Sequence, residues 1–355
     1  MRTKIASALS ITATAVAVFF SLSSPAGSQT KKPATLAELA AYMGADRDQL
    51  LLAGARVEGK VVWYTSLAGA SFKEPMKAFE AKYPGVKVEV YRSQSSDLGK
   101  RITTENQAKR FYMDALETTL PLQKLLLEGR MMTPFTSPHL SKYPDIAKRK
   151  ANDGLYFWAV DRESYSGLAI NKTSIPATIV KNYEDLLRPE FKGKIGFAIS
   201  ETGPRAIGAM VKAKGEEFVR KLKSQEISLH AVSGRAVADL VASGELGASP
   251  TVFRSHASEI AASGAPVTWI PMDLVPTNAG AVSLPISAPH PHAAVLLIDF
   301  MLGPEVQTIF EKGQQGSPAK DYGFKRWYPE EGMNTDQYDR ASAQWEKLLR
   351  EIGRN

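Results

Sequence analysis

The chain of 355 residues contains no cysteine. That excludes disulfides, thiolate metal sites and cysteine nucleophiles, and it removes the residue that would carry a lipid anchor beside an export cleavage site. Catalytic signatures are missing too. There is no G-x-S-x-G elbow, no H-E-x-x-H helix, no G-x-x-x-x-G-K-[ST] phosphate loop and no G-x-G-x-x-G fingerprint. No run of five or six like charges occurs, and the net charge is a mild +7, so no nucleic-acid partner is implied. The sequence therefore argues for a non-enzyme without a cofactor. A dispersed Ser/His/Asp triad keeps an exported hydrolase as an alternative class. Long apolar runs are equally rare: only residues 5–22 approach the length of a membrane span.

That one run lies behind Arg2 and Lys4 and ahead of Ala26-Gly27-Ser28, the layout of a secretory signal cleaved near Ser28-Gln29. A membrane anchor is the rival reading. An exported protein with no anchor points to a compartment that retains it, such as a Gram-negative periplasm.

What is present is ordinary globular composition, 44% hydrophobic and 23% charged, with length for two domains. "TLAELAAYMGADRDQLLLAGAR" (35–56) suggests two short helices broken near Gly44. "VVWYTS" (61–66) is a continuous apolar run, a strand buried on both faces. Phe72, Met76, Phe79 and Tyr83 recur at helical spacing and end at Pro84-Gly85. "VKVEVY" (86–91) alternates strictly, as a half-exposed edge strand does. A helix over 98–109 and a third strand in "YMDALETT" complete a parallel unit with crossovers. "LYFWAVDRESYSGLAIN" (155–171) reads as a long strand leaving this unit for a second one. Strands are expected there at 195–199, 227–232, 246–252 and 267–270, with helices between them, before "PMDLVPTNAGAVSLPI" brings the chain back. "PHAAVLLIDFML" and an amphipathic C-terminal segment bearing Trp345, Leu348, Leu349 and Ile352 form the last helices. The expected organisation is a signal at 1–28, a helical extension at 29–58, a first α/β lobe from 59–160 and 274–355, and a second lobe, 161–273, inserted into it. Two crossing strands make a hinge, and the cleft lies at the carboxyl ends of the strands.

"KVVWYTSL", "AFEAKYPGVKVEVYRSQSSDLGKRI", "YEDLLRPEFKGKIGFA" and "GAVSLPISAPHPHAAVLLIDFMLGPEVQTIF" together resemble the periplasmic solute-binding proteins of ABC importers, in the branch of ferric-ion binders and their organic-ligand relatives. The likeness covers about residues 56–320. It implies a two-lobe fold of the type II topology, opening and closing about the hinge, and delivery of cargo by a monomer to a permease in the inner membrane. A sensor subunit that presents its ligand to a receptor would use the same lobes.

Candidate ligand contacts sit where strands end and helices begin, because unpaired backbone N–H groups there favour anions. In the first lobe these are Thr65 and Ser66, then Ser95 and Ser96, then Thr118. Ser and Thr also cap helices in any protein. Glu117 fits an anion site poorly and would meet a donor on the ligand or turn to a salt bridge. In the second lobe, Thr202, Gly203 and Arg205 follow a strand: the glycine permits a close turn and the guanidinium offers a planar fork to a carboxylate or phosphonate. Phe253 and Arg254 stand past another strand, and Tyr165 and Asn278 flank the hinge. In the resemblance, ferric members place adjacent tyrosines where this chain has Thr251-Val252-Phe253-Arg254. There is no Tyr-Tyr pair among its twelve tyrosines. Phenylalanine cannot ligate and arginine repels a cation, so an organic anion is expected. Iron remains the alternative if Tyr64, Tyr165 or His256 converge. His290 and His292 read as a turn before a helix, and His139 and His230 as structural.

Overall fold

The computed structural model describes residues 33–67, 71–152 and 154–354. The expected export signal and its cleavage site lie outside the described residues. Thr35 and Glu38 form a reciprocal capping box that starts α1 (Leu36–Ala41). Helix α2 (Arg47–Glu58) ends on Gly59, whose φ of 74° turns the chain into β1 (Lys60–Thr65). Then come α3 (Lys73–Lys82), β2 (Lys87–Arg92), α4 (Ser95–Gln107), β3 (Ala115–Thr119) and α5 (Leu120–Glu128). Strand β1 runs parallel to β2 on one side and β3 on the other. As the alternating pattern requires, β2 is at the edge of the sheet: Val88 is buried while Lys87 and Glu89 are exposed. Two short strands, β4 (Met132–Thr133) and β5 (Lys148–Lys150), extend the margins.

The 16-residue β6 (Tyr156–Asn171) leaves this unit. The second unit is built from β7 (Gly196–Ala198), α6 (Thr202–Lys214), α7 (Glu216–Lys221), β8 (Ile227–His230), α8 (Gly234–Ser243), β9 (Ala248–Phe253), α9 (Arg254–Ala262) and β10 (Val267–Ile270). Strand β7 is parallel to β8, and β9 and β10 both pair antiparallel with the far half of β6. Strand β11 (Val275–Pro285) returns, antiparallel to β6 and then to β3. Helices α10 (Pro291–Leu302) and α11 (Pro304–Lys312) pack in the first core, where α10 is buried over almost its whole length and is apolar but for His292 at its start and Asp299, which a buried Arg47 meets at 2.9 Å. No single helix among the described residues is long and apolar enough to cross a membrane.

The first core gathers Trp63, Phe79, Leu98, Val282 and Leu297. The second has two parts on opposite faces of its sheet: Leu168, Phe197, Ile207 and Leu349 on one, and Val237, Val252 and Ile260 on the other. One expectation needs correction here. Residues 274–355 do not all belong with the first lobe. After α11 the chain crosses a third time, through β12 (Arg326–Trp327), to α12 (Thr335–Ile352) and β13 (Gly353–Arg354), which pairs with β8. Trp327 packs in the second core and its neighbour Tyr328 in the first. The apolar stripe of α12, with Trp345, Leu348, Leu349 and Ile352, lies in the second core. Such a stripe asks only for an apolar partner, and α6 supplies it at Gly208, where a Cβ would stand 2.7 Å from the Trp345 ring.

Three consecutive charged residues are buried where β6 crosses between lobes: Asp161, Arg162 and Glu163. Arg162 meets Glu117 at 2.9 Å, and Glu163 accepts from Arg326 at 2.8 Å and from the hydroxyls of Tyr165 and Tyr328. Burial, then the Glu117 charge, push the Asp161 carboxyl well above the usual range. A raised folded-state value means the native protein keeps a proton that the unfolded chain releases above about pH 4, so ionisation favours unfolding as pH rises. Asp161→Asn, which removes this penalty, should unfold at higher urea than the parent at pH 7, with the gain shrinking towards about pH 4. A gain that does not vary with pH would show that Asp161 is charged in the native state.

Candidate functional site

Both lobes turn the carboxyl ends of parallel strands, and the first turns of the helices that follow, towards the crossing. In the first lobe Thr65 ends β1, but its side chain is fully buried: Oγ1 donates to Glu117 Oε2 at 2.6 Å and accepts from Leu67 N. Glu117 thus turns to a salt bridge, with Arg162, rather than to a ligand. Thr118 is also fully buried. Thr118 and Thr119 both donate to Ser95 Oγ, at 3.0 Å each. Ser95, having accepted twice, has its own hydroxyl proton left to give. Among the described residues the buried Ser66 hydroxyl has no partner.

In the second lobe Gly203 is required by geometry, since a Cβ there would stand 2.1 Å from the Ala198 carbonyl oxygen. That close approach lets α6 begin directly over the end of β7. Thr202 is buried beside Ser200, with hydroxyl oxygens 3.3 Å apart. Arg205 differs from expectation. It is 7% exposed and bonded to Glu330 Oε1 at 2.9 Å, with Glu201 at 3.9 Å, so its charge is answered from within the protein. Glu330 arrives on the third crossing, which the local sequence around Arg205 gave no means to foresee.

Arg254, the first residue of α9, is in the opposite condition. Among the described residues no carboxylate lies within 4.0 Å of it; its Nε has no hydrogen-bond partner there, a condition it shares with Arg205 Nε. Its guanidinium carbon sits 4.8 Å from the Tyr165 ring centre and 4.7 Å from that of Tyr322, over a corner made by the two tilted rings, whose centres are 5.3 Å apart; Glu311 feels its charge. Burial raises both phenols, Tyr322 to about 12, so both rings are neutral. Glu311 is committed to the Tyr322 hydroxyl at 2.7 Å and to Lys320 at 2.9 Å. Phe253 meets the His256 ring edge-on at 5.5 Å, and burial lowers the His256 imidazole, keeping it neutral; among the described residues its Nδ1 has no partner. Asn278, half-buried on β11, stands opposite Ser164 on β6.

A cavity of about 730 Å³ opens between the lobes, from α4 and α5 on one side to α6 and α12 on the other. It collects Ser95, Ser96 and Arg205 from the expected residues. Tyr165, Phe253 and Arg254 gather instead beside the hinge, and Thr65, Ser66 and Thr118 support the strand ends beneath. Missed by sequence reasoning were Tyr322, Glu330 and Tyr338, all supplied by the returning C-terminal segment. Lys100 and Thr103 on α4, one and two turns beyond Ser96, were also missed, although their helical spacing is a signal that could have found them.

The residues named for iron do not converge. Tyr64 is held by Glu105 and Arg101, and Tyr165 by Glu163. Among the described residues no three His, Cys, Asp or Glu side chains are grouped to hold a metal. His290 and His292 serve the start of α10, each ring paired with a carboxylate, from Asp114 at 2.8 Å and Glu58 at 2.7 Å.

The sequence profile of a family described as bacterial extracellular solute-binding protein matches residues 119–338. No curated protein matches by sequence. Among solved structures, the IdiA (FutA) protein of Trichodesmium, in complex with iron and citrate, is similar with a TM-score of 0.65 at 18% identity, covering 83% of this chain and 99% of that one. AfuA from Actinobacillus pleuropneumoniae, with fructose 6-phosphate bound, is similar at 0.62 and 23% identity, covering 82% and 99%. The ferric binding protein from Campylobacter jejuni gives 0.62 and 19%, covering 82% and 99%. These likenesses show the two-lobe type II fold.

Removing one member of a buried ion pair strands the other. Arg205→Met alone should therefore cost about 3–5 kcal/mol in urea unfolding, whereas the double variant with Glu330→Leu should recover most of it. Additive losses would mean that the two side chains do not depend on each other.

Proposed function

We propose a function from one premise: the chain belongs to the bacterial extracellular solute-binding protein family. Members of this family bind solutes for ABC importers. The finer reading is that this chain, exported to the periplasm as a monomer, captures a small organic anion between its lobes and hands it to an inner-membrane permease without altering it.

The observation that carries this reading is Arg254. A half-buried guanidinium that no carboxylate among the described residues approaches within 4.0 Å, set against two tilted tyrosine rings and with its Nε unpartnered, keeps hydrogen-bonding capacity that an incoming anion would satisfy. It also stands at the first turn of a helix, where a cation is unfavourable unless an anion comes to meet it. Arg205, the more obvious candidate from sequence, is already neutralised by Glu330. Two of the similar structures hold organic anions, citrate in one and fructose 6-phosphate in the other.

Cargo touching both lobes favours the closed arrangement by its differential affinity for it. A thermal-shift screen of carboxylates, organic phosphates, sugars and ferric citrate identifies the class. Arg254→Ala should then weaken an anionic hit by about 1.5–3 kcal/mol in calorimetry, the scale of a charge-assisted hydrogen bond. The ligand recovered from the complex should give an unchanged NMR spectrum. Undiminished affinity in Arg254→Ala removes that residue from the site, and a converted ligand makes the protein an enzyme.

A further inference from the structure

We infer that the protein has a second small-molecule site, apart from the cavity between α4 and α12, and that this site takes an aromatic carboxylate. It is a cavity of about 510 Å³ walled by α5, the turn that leads into β5, β6 and the segment 328–334 of the third crossing. Its lining shares no residue with the cavity between α4 and α12, and holds none of the ligand contacts expected from sequence. The volume falls in the range that admits a whole small molecule, roughly 300–1,000 Å³.

The first argument is charge. Lys124 and Arg149 both line the cavity. Among the described residues no carboxylate lies within 4.0 Å of either. Burial lowers the half-buried Lys124 ammonium; the Glu330 charge opposes that shift and the nearby Arg149 charge adds to it. Lys124 gives two of its three N–H donors to the carbonyls of Glu330 and Met333 and keeps one. The other ionisable groups of the lining are mostly committed. Lys148 meets Asp145 at 3.3 Å and the Leu140 carbonyl at 3.2 Å, and Glu128 accepts from Thr335 N at 3.0 Å and from its hydroxyl at 2.9 Å. Two cations are then left against one carboxylate, that of the exposed Glu331. An anion that meets both Lys124 and Arg149 relieves their mutual repulsion and takes up the spare donors.

The second argument is the shape of the apolar surface. Trp158, Tyr328, Leu127, Ile146 and Met333 line the same space. Aromatic rings and a thioether attract a flat ring more specifically than they attract a chain. A small inorganic anion would answer the cations and leave this surface wet. The site also has a place in the architecture: a ligand there touches α5 of the first lobe and the segment 331–334 together, alongside the tie that Lys124 already makes to that segment.

Calorimetry with 2-naphthoate, its neutral amide and acetate tests this, together with the indole N–H NMR signals of the five tryptophans. 2-Naphthoate should bind at least about tenfold more tightly than either of the others, since the amide lacks the charge and acetate lacks the ring. It should displace the signal of Trp158, which is the one missing from Trp158→Phe. Arg149→Ala, a change at an exposed side chain, should weaken 2-naphthoate by about tenfold or more with an unchanged urea midpoint. Ile146→Trp, which fills the cavity from the exposed turn before β5, should weaken it as well. An amide that binds as tightly as the acid overturns the assignment of an anion, and acetate that does so overturns the aromatic body. A Trp158 signal that 2-naphthoate leaves in place, or affinity undiminished in both folded variants, overturns the site itself.

Discussion

Everything in this protein is positioned by one pair of strands. Strand β6 spans 16 residues, about 53 Å at the rise of an extended chain, and that length lets it belong to two sheets at once. Its near half lies against β11 and its far half against β9 and β10. The pairing is specified by more than backbone hydrogen bonds. Arg162 and Glu163 are buried at the crossing and are tolerable there only because Glu117, Arg326 and the hydroxyls of Tyr165 and Tyr328 meet them. A slip of one residue would reverse every side chain and strand those charges without partners. The crossing is therefore held in register by electrostatics as well as by packing.

That arrangement also sorts the arginines. Arg162, Arg205 and Arg326 each have a buried carboxylate and act as internal ties between segments that meet at or near the crossing. Arg254 meets two tyrosine rings instead, with no carboxylate among the described residues within 4.0 Å. A buried ion pair organises the fold and offers little to a ligand. A guanidinium that no carboxylate meets does the reverse. The division of labour among residues of the same type follows from what each neighbour contributes.

The third crossing gives the interlobe space its outer wall. Because α12 packs on α6 through Trp345 and reaches α5 through Thr335 and Glu128, it is a component of the second core that also touches the first lobe. Movement of one lobe relative to the other has to be accommodated at three connections, two of them paired strands and one a segment tied down by Lys124, which donates to the carbonyls of Glu330 and Met333.

The sequence by itself determined the order and kind of elements: the apolar β1, the alternating edge strand β2, the break at Gly44, the restart of the α/β pattern after β6 and the stripe of α12 are all consequences of periodicity and of glycine and proline placement, which act over a few residues. It also determined that Gly203 must sit where a helix starts against a strand end, and it brought Arg254 forward as a candidate. Tertiary structure alone decided which lobe receives α12, because an amphipathic stripe specifies that a partner surface exists and not which one. It alone decided that Arg205 meets a buried carboxylate while Arg254 meets tyrosine rings, because Glu330 and Tyr322 lie 125 and 68 residues further along the chain from them. Charge pairing acts over a few ångströms of space, and a sequence read in order holds no record of which distant residues fall within that reach.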